Sequence, residues 1–132
     1  FEDLVVFKKA RELCNEIYRV TNVEPWKYDF RFVQQIRAAA GSIMDNIAEG
    51  YERNGNKEFK NFLYIAKGSC GEVRSQIIRA SDAGLIDGET YCKLYNDCMA
   101  LSKSLATFAK SVSASSMVGI KYFDPNTLNF EP

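Results

Sequence analysis

Two groups of polar side chains have the residue types and the spacing that binding or catalysis would require. The first group occupies one side of each of two neighbouring predicted helices, at the border of their apolar faces. Its members are Gln35, Ser42, Asn46 and Glu49 on one helix and Glu58, Ser69, Glu72 and Gln76 on the other. Such a stripe is either a set of hydrogen bonds that fixes helix register or a ligand site. We favour register, because no nucleophile is paired with a base and no set of metal ligands is visible.

A short turn near Arg53 predicts how these two helices meet. Because the helices run antiparallel, the turn is expected to place Arg37 near Glu72 and Ser42 near Tyr64. An Arg37–Glu72 pair would be a charge-assisted hydrogen bond across the seam between the helices. Small residues on both sides predict that the two backbones approach closely. They are Ala38, Ala39, Ala40 and Gly41 on one helix and Gly68, Ser69 and Gly71 on the other.

The second group of candidate residues is basic. Lys60, Lys67 and Arg74 recur every seven residues on the other flank of the later helix, with about 10.5 Å of helix rise between successive members. Such a row could hold the phosphates of nucleic acid. It could also consist of solvated cations whose aliphatic stems cover the edge of the apolar face, which is the interpretation we favour for a single subunit. A ring of subunits would join weak rows into a continuous one, so nucleic-acid binding stays a hypothesis.

The composition removes most enzymatic chemistry. The chain has 132 residues, 17 Lys+Arg, 17 Asp+Glu and no His, which excludes His-based acid–base catalysis and His-containing metal sites. Zero net charge argues against a basic coat that holds nucleic acid or a membrane by bulk attraction. Cys14, Cys70, Cys92 and Cys98 form no C-x-x-C pair and are expected to be buried, reduced thiols in helices. We therefore predict no catalytic residue, no cofactor and no metal.

Apolar residues with helical spacing define the elements that position these groups. Four helices are predicted over residues 3–21, 30–49, 57–81 and 88–111. Their ends are marked by Asp29, Asn56 and Asp87 as N-terminal caps and by Gly50 and Gly84 as stops. Short connections between amphipathic helices predict an all-α, antiparallel up-down-up-down four-helix bundle over residues 1–111. The first and last helices carry doubled apolar stripes, which fit either a broad core face or a subunit contact.

Residues 112–132 differ from the bundle in composition. Serines interrupt the helical pattern, and apolar side chains then return at Ile120, Tyr122, Phe123, Leu128 and Phe130. We expect a C-terminal tail that is extended or docked on its own or a neighbouring subunit. No apolar run approaches the ~20 residues of a membrane span and no signal-peptide core is evident, so we expect a cytoplasmic protein with no membrane partner.

Three stretches of the sequence carry a family pattern. They are FEDLVVFKKAREL at residues 1–13, QIRAAAGSIMDNIAEGYER at residues 35–53 and FKNFLYIAKGSCGE at residues 59–72. In these stretches the chain resembles the four-helix bundle family of proteins encoded in 23S rRNA intervening sequences, also labelled S23 ribosomal-like. The positions that match the family signature, which we interpret as structural, are Gln35, Arg37, Ser42, Asn46, Glu49, Gly50, Arg53, Gly68, Ser69 and Glu72. The chain departs from the pattern at Ala38, where a second Arg is usual, and at Met44, where Pro is usual.

The resemblance implies a bundle that assembles as a ring, typically a pentamer. Relatives include the accessory variability protein of diversity-generating retroelements, which works with a reverse transcriptase and nucleic acid. We therefore predict a non-enzymatic oligomeric four-helix bundle that binds RNA or a nucleic-acid-associated protein, such as a ribonucleoprotein. The alternative is a protein-interaction scaffold with no nucleic-acid role, which zero net charge favours because the nucleic-acid-binding relatives are strongly basic.

Overall fold

Four α-helices make up most of the described chain. The computed structural model describes residues 1–114, with α1 at Val5–Thr21, α2 at Phe30–Glu52, α3 at Asn56–Asp82 and α4 at Gly88–Ala114. A single 3-10 turn, Trp26–Tyr28, lies between α1 and α2. Helices adjacent in sequence pack against each other, and α1 also packs against α4, which closes the bundle. No strand occurs within residues 1–114, and the predicted all-α, antiparallel four-helix bundle is confirmed.

Two of the predicted N-terminal caps are confirmed by their hydrogen bonds. The Asp29 carboxylate accepts from the Phe32 backbone N–H at 3.3 Å, and the Asp87 carboxylate accepts from the Thr90 backbone N–H at 2.7 Å. Each carboxylate satisfies an N–H group that has no partner within its own helix. At the other end of α3, Gly84 has a φ of +73°, which is the left-handed conformation expected of a helix stop.

The stop predicted at Gly50 is wrong, because α2 continues past this residue. Gly50 is buried, and a Cβ atom added to it would lie 2.5 Å from the Cβ of Phe62 and 3.1 Å from the Cδ1 of Phe59. The missing side chain therefore lets the first turns of α3 lie directly against α2. The hairpin turns instead at Gly55, whose φ is +103°. Asn56, which the sequence suggested as the cap, is the first residue of α3.

The buried side chains follow the predicted apolar stripes. The buried stripe of α1 is Val6, Ala10, Leu13, Ile17 and Val20, and that of α4 is Leu94, Cys98, Leu101, Leu105 and Phe108. The rings of Phe59 and Phe108 meet edge to face with centroids 5.6 Å apart and join α3 to α4. Between α1 and α2, Trp26 is 0% exposed and packs against Phe32 with ring centroids 5.1 Å apart.

The doubled apolar stripes divide between the core and the surface. Phe7 and Cys14 on α1 and Ala109 on α4 are buried, so a broad core face accounts for these members of the second stripe. Tyr18 and Met99 are 49% and 43% exposed, so the core does not account for them.

Both the C-terminal boundary and one cysteine differ from expectation. The last helix continues through Ala114, beyond the helix end predicted at residue 111. The predicted tail lies outside the described residues from position 115 onward. Cys92 is exposed rather than buried, because its position on α4 points away from the stripe that holds Leu94 and Cys98. Residues 1–114 contain no helix with both the length and the apolar character that crossing a membrane requires.

Candidate nucleic-acid interface

The polar seam between α2 and α3 is a small hydrogen-bonded cluster. The hydroxyls of Ser42 and Ser69 lie 3.0 Å apart, and the Asn46 side-chain amide donates to the Ser42 backbone carbonyl at 2.8 Å and to its hydroxyl at 3.0 Å. The cluster joins the two helices at a fixed register, as the sequence predicted. The prediction that Ser42 lies near Tyr64 is wrong, because Ser42 meets Ser69 instead. The true neighbour lies farther along α3 because the hairpin turns at Gly55 and not at Arg53.

The predicted Arg37–Glu72 pair is also wrong. The Arg37 Nε donates to the Thr21 hydroxyl at 3.0 Å, its Nη2 donates to the Tyr18 carbonyl at 3.5 Å, and its guanidinium lies 4.5 Å from the centroid of the Tyr18 ring. The buried Thr21 hydroxyl in turn donates to the Ile17 carbonyl at 2.6 Å. Arg37 therefore ties α2 to the last turn of α1, where a cation also interacts favourably with the helix carbonyls.

The remaining signature residues lie at the surface or at the hairpin end. Arg53 pairs with Glu49 at 2.7 Å and with Glu58 at 3.5 Å, which joins the end of α2 to the start of α3. Both pairs are exposed, so each contributes little to stability. Gln35 is exposed, and Glu72 accepts a hydrogen bond from the Gln76 amide at 3.5 Å.

The small residues predicted to bring α2 and α3 together do not all do so. A Cβ atom added at Gly41, Gly68 or Gly71 would meet no atom of the bundle described here within 4 Å, so these three glycines face away from its packed interior. The close approach occurs instead at Gly50, where the sequence suggested a helix stop. The seam thus holds two helices in register, while three of its predicted small residues take no part in the contact.

The predicted basic row lies beside an open groove between α3 and α4. Lys67 and Arg74 line this groove of about 500 Å³ together with Met99, Ala100, Ser102 and Lys103, and none of the carboxylates in residues 1–114 lines it. Lys103 was not singled out in the sequence. Lys60, the third predicted cation, continues the row beyond the groove toward the hairpin end of α3.

A second basic row on α4 accompanies the row on α3. Lys103 and Lys110 are seven residues apart and exposed. The rings of Phe59 on α3 and Phe108 on α4 are in contact. Lys60 directly follows Phe59 and Lys110 lies two residues after Phe108, so the two lysines lie at the same end of the bundle. We call the five cations Lys60, Lys67, Arg74, Lys103 and Lys110 the basic strip. Within residues 1–114, no ion pair joins any of them to a carboxylate.

Arg74 is held across the groove by contacts to α4. Its guanidinium contacts the Met99 sulfur and lies 5.8 Å from the centroid of the Tyr95 ring. Such contacts orient a planar cation without neutralising it, so its charge remains available to an anion. The basic strip can therefore hold phosphate oxygens on its exposed side.

A second groove, between α1 and α4, has the opposite character. It measures about 480 Å³ and is lined by residues of both signs, among them Lys9, Glu12, Glu16, Lys93 and Asp97. The Lys93 ammonium pairs with Asp97 at 2.9 Å, and the Lys9 ammonium donates to a serine hydroxyl at 2.8 Å. Its three carboxylates, Glu12, Glu16 and Asp97, outnumber its two cations, so this groove does not offer an anion a surface of positive sign. No cluster of three or more His, Cys, Asp or Glu side chains in the described part of the chain could hold a metal ion.

Comparison with known proteins identifies the family. The sequence model described as 23S rRNA-intervening sequence protein matches residues 2–107. One similar solved structure is a protein of unknown function from the S23 ribosomal protein family of Bacteroides thetaiotaomicron VPI-5482, with 27% identity and a TM-score of 0.73 over 80% of this chain and 99% of that one. No curated protein matches the chain, and the relationship to the accessory variability protein stays a prediction. The chain belongs to the family of 23S rRNA-intervening sequence proteins.

Proposed function

We propose that this chain is a non-enzymatic, self-assembling four-helix bundle that binds the phosphate backbone of nucleic acid along the basic strip. The observation that carries the proposal is the charge pattern of the α3–α4 face. A chain with no net charge gathers five cations there, and the groove that three of them line holds no carboxylate from residues 1–114. A surface of one sign raises the local concentration of a polyanion even when the whole molecule is neutral.

The strength expected of one chain is modest. We expect one chain to contact roughly three to five phosphates of a single strand. A plot of the logarithm of the binding constant against the logarithm of the salt concentration should then have a slope between about −2 and about −4. Such binding is weak at physiological salt. Several copies of the strip on one assembly would bind one nucleic acid together, which raises the overall affinity without any new contact. Self-assembly is therefore part of the proposal.

The outer surface of α2 and α3 supports assembly with further copies of the chain. Gly41, Gly68 and Gly71 each weaken a helix by about 1 kcal/mol relative to Ala, and no contact among the described residues compensates for them. Tyr64 and Ile65 are 42% and 51% exposed on α3. Glycines that face outward beside exposed apolar groups would allow a second backbone to approach closely. The subunit number of five comes from the family resemblance.

A binding experiment with matched charge variants tests the proposal. The probe is a labelled single-stranded RNA oligomer, measured by fluorescence anisotropy at several salt concentrations, with light scattering to report assembly. Replacing Lys60, Lys67 and Arg74 by Glu is expected to abolish binding. The control replaces the exposed cations Lys8, Arg11 and Lys57 by Glu, which changes the net charge equally and leaves the strip intact. The control is expected to lower affinity by no more than a few-fold.

Two outcomes would overturn this function. The first is that the unmodified protein does not bind RNA at low salt. The second is that the two triple variants lose binding to the same extent. The first outcome would leave the second candidate function, a protein-interaction scaffold, which zero net charge and the exposed apolar side chains favour. A scaffold would retain its protein partners in a pull-down after nuclease treatment. For either candidate function, we place the chain in the cytoplasm, because that compartment keeps buried thiols reduced.

A further inference from the structure

The basic strip ends in an apolar surface near the turn between α3 and α4. On the groove side of α4, Met99, Tyr95 and Tyr91 lie four residues apart, with about 6 Å of helix rise between neighbours. On α3, Ile78 follows Arg74, the last cation of its row, by four residues. We call Ile78, Tyr91, Tyr95 and Met99 the apolar patch. It extends the line of the strip beyond the last cation.

Arg74 connects the charged strip to the apolar patch. Its guanidinium lies 5.8 Å from the centroid of the Tyr95 ring and contacts the Met99 sulfur. The Tyr95 and Tyr91 ring centroids are 5.7 Å apart, with 39° between the ring planes. Both tyrosines are half-buried, and Met99 and Ile78 are 43% and 40% exposed. A cation on an aromatic ring, beside exposed apolar side chains, suits a ligand with both a negative charge and a flat apolar group.

An unpaired nucleotide is a ligand of this kind. Its phosphate is an anion, and its base has a flat face that packs on aromatic side chains. In a duplex the bases stack on one another, so their faces are covered and the apolar patch would gain nothing from them. The phosphates of single and double strands are both attracted to the cations. The patch therefore distinguishes the two forms of nucleic acid, whereas the strip alone does not.

We propose that the ligand of the basic strip is single-stranded nucleic acid, whose unpaired bases pack against Tyr95 and Tyr91 while Arg74 holds the adjacent phosphate. This inference rests on the proposed function, because the strip must first bind the phosphate backbone. It adds the class of nucleic acid and the part of the nucleotide that the apolar patch contacts. Binding is expected to tolerate any base sequence, since every base has a face that can stack.

Two oligomers that differ only in their bases test the contact with the apolar patch. One is a labelled single-stranded RNA, and the other has the same number of phosphates but carries stable abasic analogues in place of its nucleosides. Fluorescence anisotropy at several salt concentrations gives both affinities. We expect the strand with bases to bind about five-fold more tightly or better. The salt dependence is expected to be the same for both strands, because the phosphate contacts are the same.

Replacing Tyr95 by Leu separates stacking from charge. This variant keeps an apolar side chain and all five cations of the strip, but it loses the ring. Its affinity for the strand with bases should fall about five-fold or more, whereas its affinity for the abasic strand and for an RNA duplex should change little. Tyr95→Phe keeps the ring and should restore binding. The matched control is Tyr28→Leu, which removes an exposed tyrosine at the α1–α2 corner and should have no effect.

The outcomes distinguish this inference from the proposed function. Equal affinity of the unmodified protein for the two single strands, or an equal loss for both strands in Tyr95→Leu, would overturn the contact with bases and leave phosphate binding intact. Failure of the unmodified protein to bind either strand at low salt would overturn the proposed function, and this inference with it. If circular dichroism shows that Tyr95→Leu does not fold, the comparison of the two strands on the unmodified protein decides.

Discussion

Replacing Gly50 by Ala tests the packing of α3 against α2. The new methyl group would lie 2.5 Å from the Cβ of Phe62, 3.2 Å from its Cγ and 3.1 Å from the Cδ1 of Phe59. The Phe62 Cβ is fixed to the backbone of α3, so a rotamer change cannot remove the overlap and one helix must move. Overpacking of this kind costs about 1–3 kcal/mol or more, and the higher helix propensity of Ala returns about 1 kcal/mol.

The net effect of Gly50→Ala is therefore a lower free energy of unfolding, by up to about 2 kcal/mol. For a chain of this size, roughly 4 °C of Tm is lost per kcal/mol, so we expect the Tm to fall by up to about 8 °C. Urea unfolding followed by circular dichroism measures the free energy, and a thermal scan measures Tm. A variant that is more stable than the parent would refute the close approach at this residue.

Three further changes address the seam, the open face and one cap. Gly68→Ala should raise the free energy of unfolding by up to about 1 kcal/mol yet weaken assembly in light scattering, and unchanged assembly would argue against a subunit contact there. Asn46→Leu should leave the bundle folded but lower its Tm and loosen its register or assembly, because two hydrogen bonds to Ser42 are lost; identical melting and assembly would contradict this. The hydrogen bond from the Thr90 N–H lowers the pKa of the Asp87 carboxyl in the folded protein. The stabilisation of the fold by this bond is therefore complete above the pKa that Asp87 has in the unfolded chain. It disappears as the pH falls through the lower pKa of the folded state. Asp87→Asn should therefore lose less stability than the parent below about pH 4 in urea titrations, and equal losses would contradict the cap.

The helices could be predicted from the sequence because their signals are local. Asp29 and Asp87 begin helices through hydrogen bonds that span three residues, and the buried stripe of each helix repeats with the helical period. Gly84 ends α3 through its own backbone conformation. None of these features depends on which helix packs against which.

The errors arose where a distant part of the chain decides the outcome. A glycine near a predicted helix end fits a stop and a close approach equally well, and only the aromatic rings of α3 distinguish the two for Gly50. The partner of Arg37 depends on where α1 ends, since the side chain reaches the Thr21 hydroxyl. Lys103 joins the basic strip only because α4 lies against α3, so the basic row of α3 alone could not indicate it.

The single tryptophan gives this chain a built-in optical reporter. Trp26 lies at the corner between the first two helices with none of its surface exposed, so its fluorescence should shift to longer wavelength when water enters that corner. Circular dichroism averages over every helix, whereas the indole emission senses one place. If the two signals change at the same denaturant concentration, the α1–α2 corner and the long α3–α4 hairpin unfold as one cooperative unit.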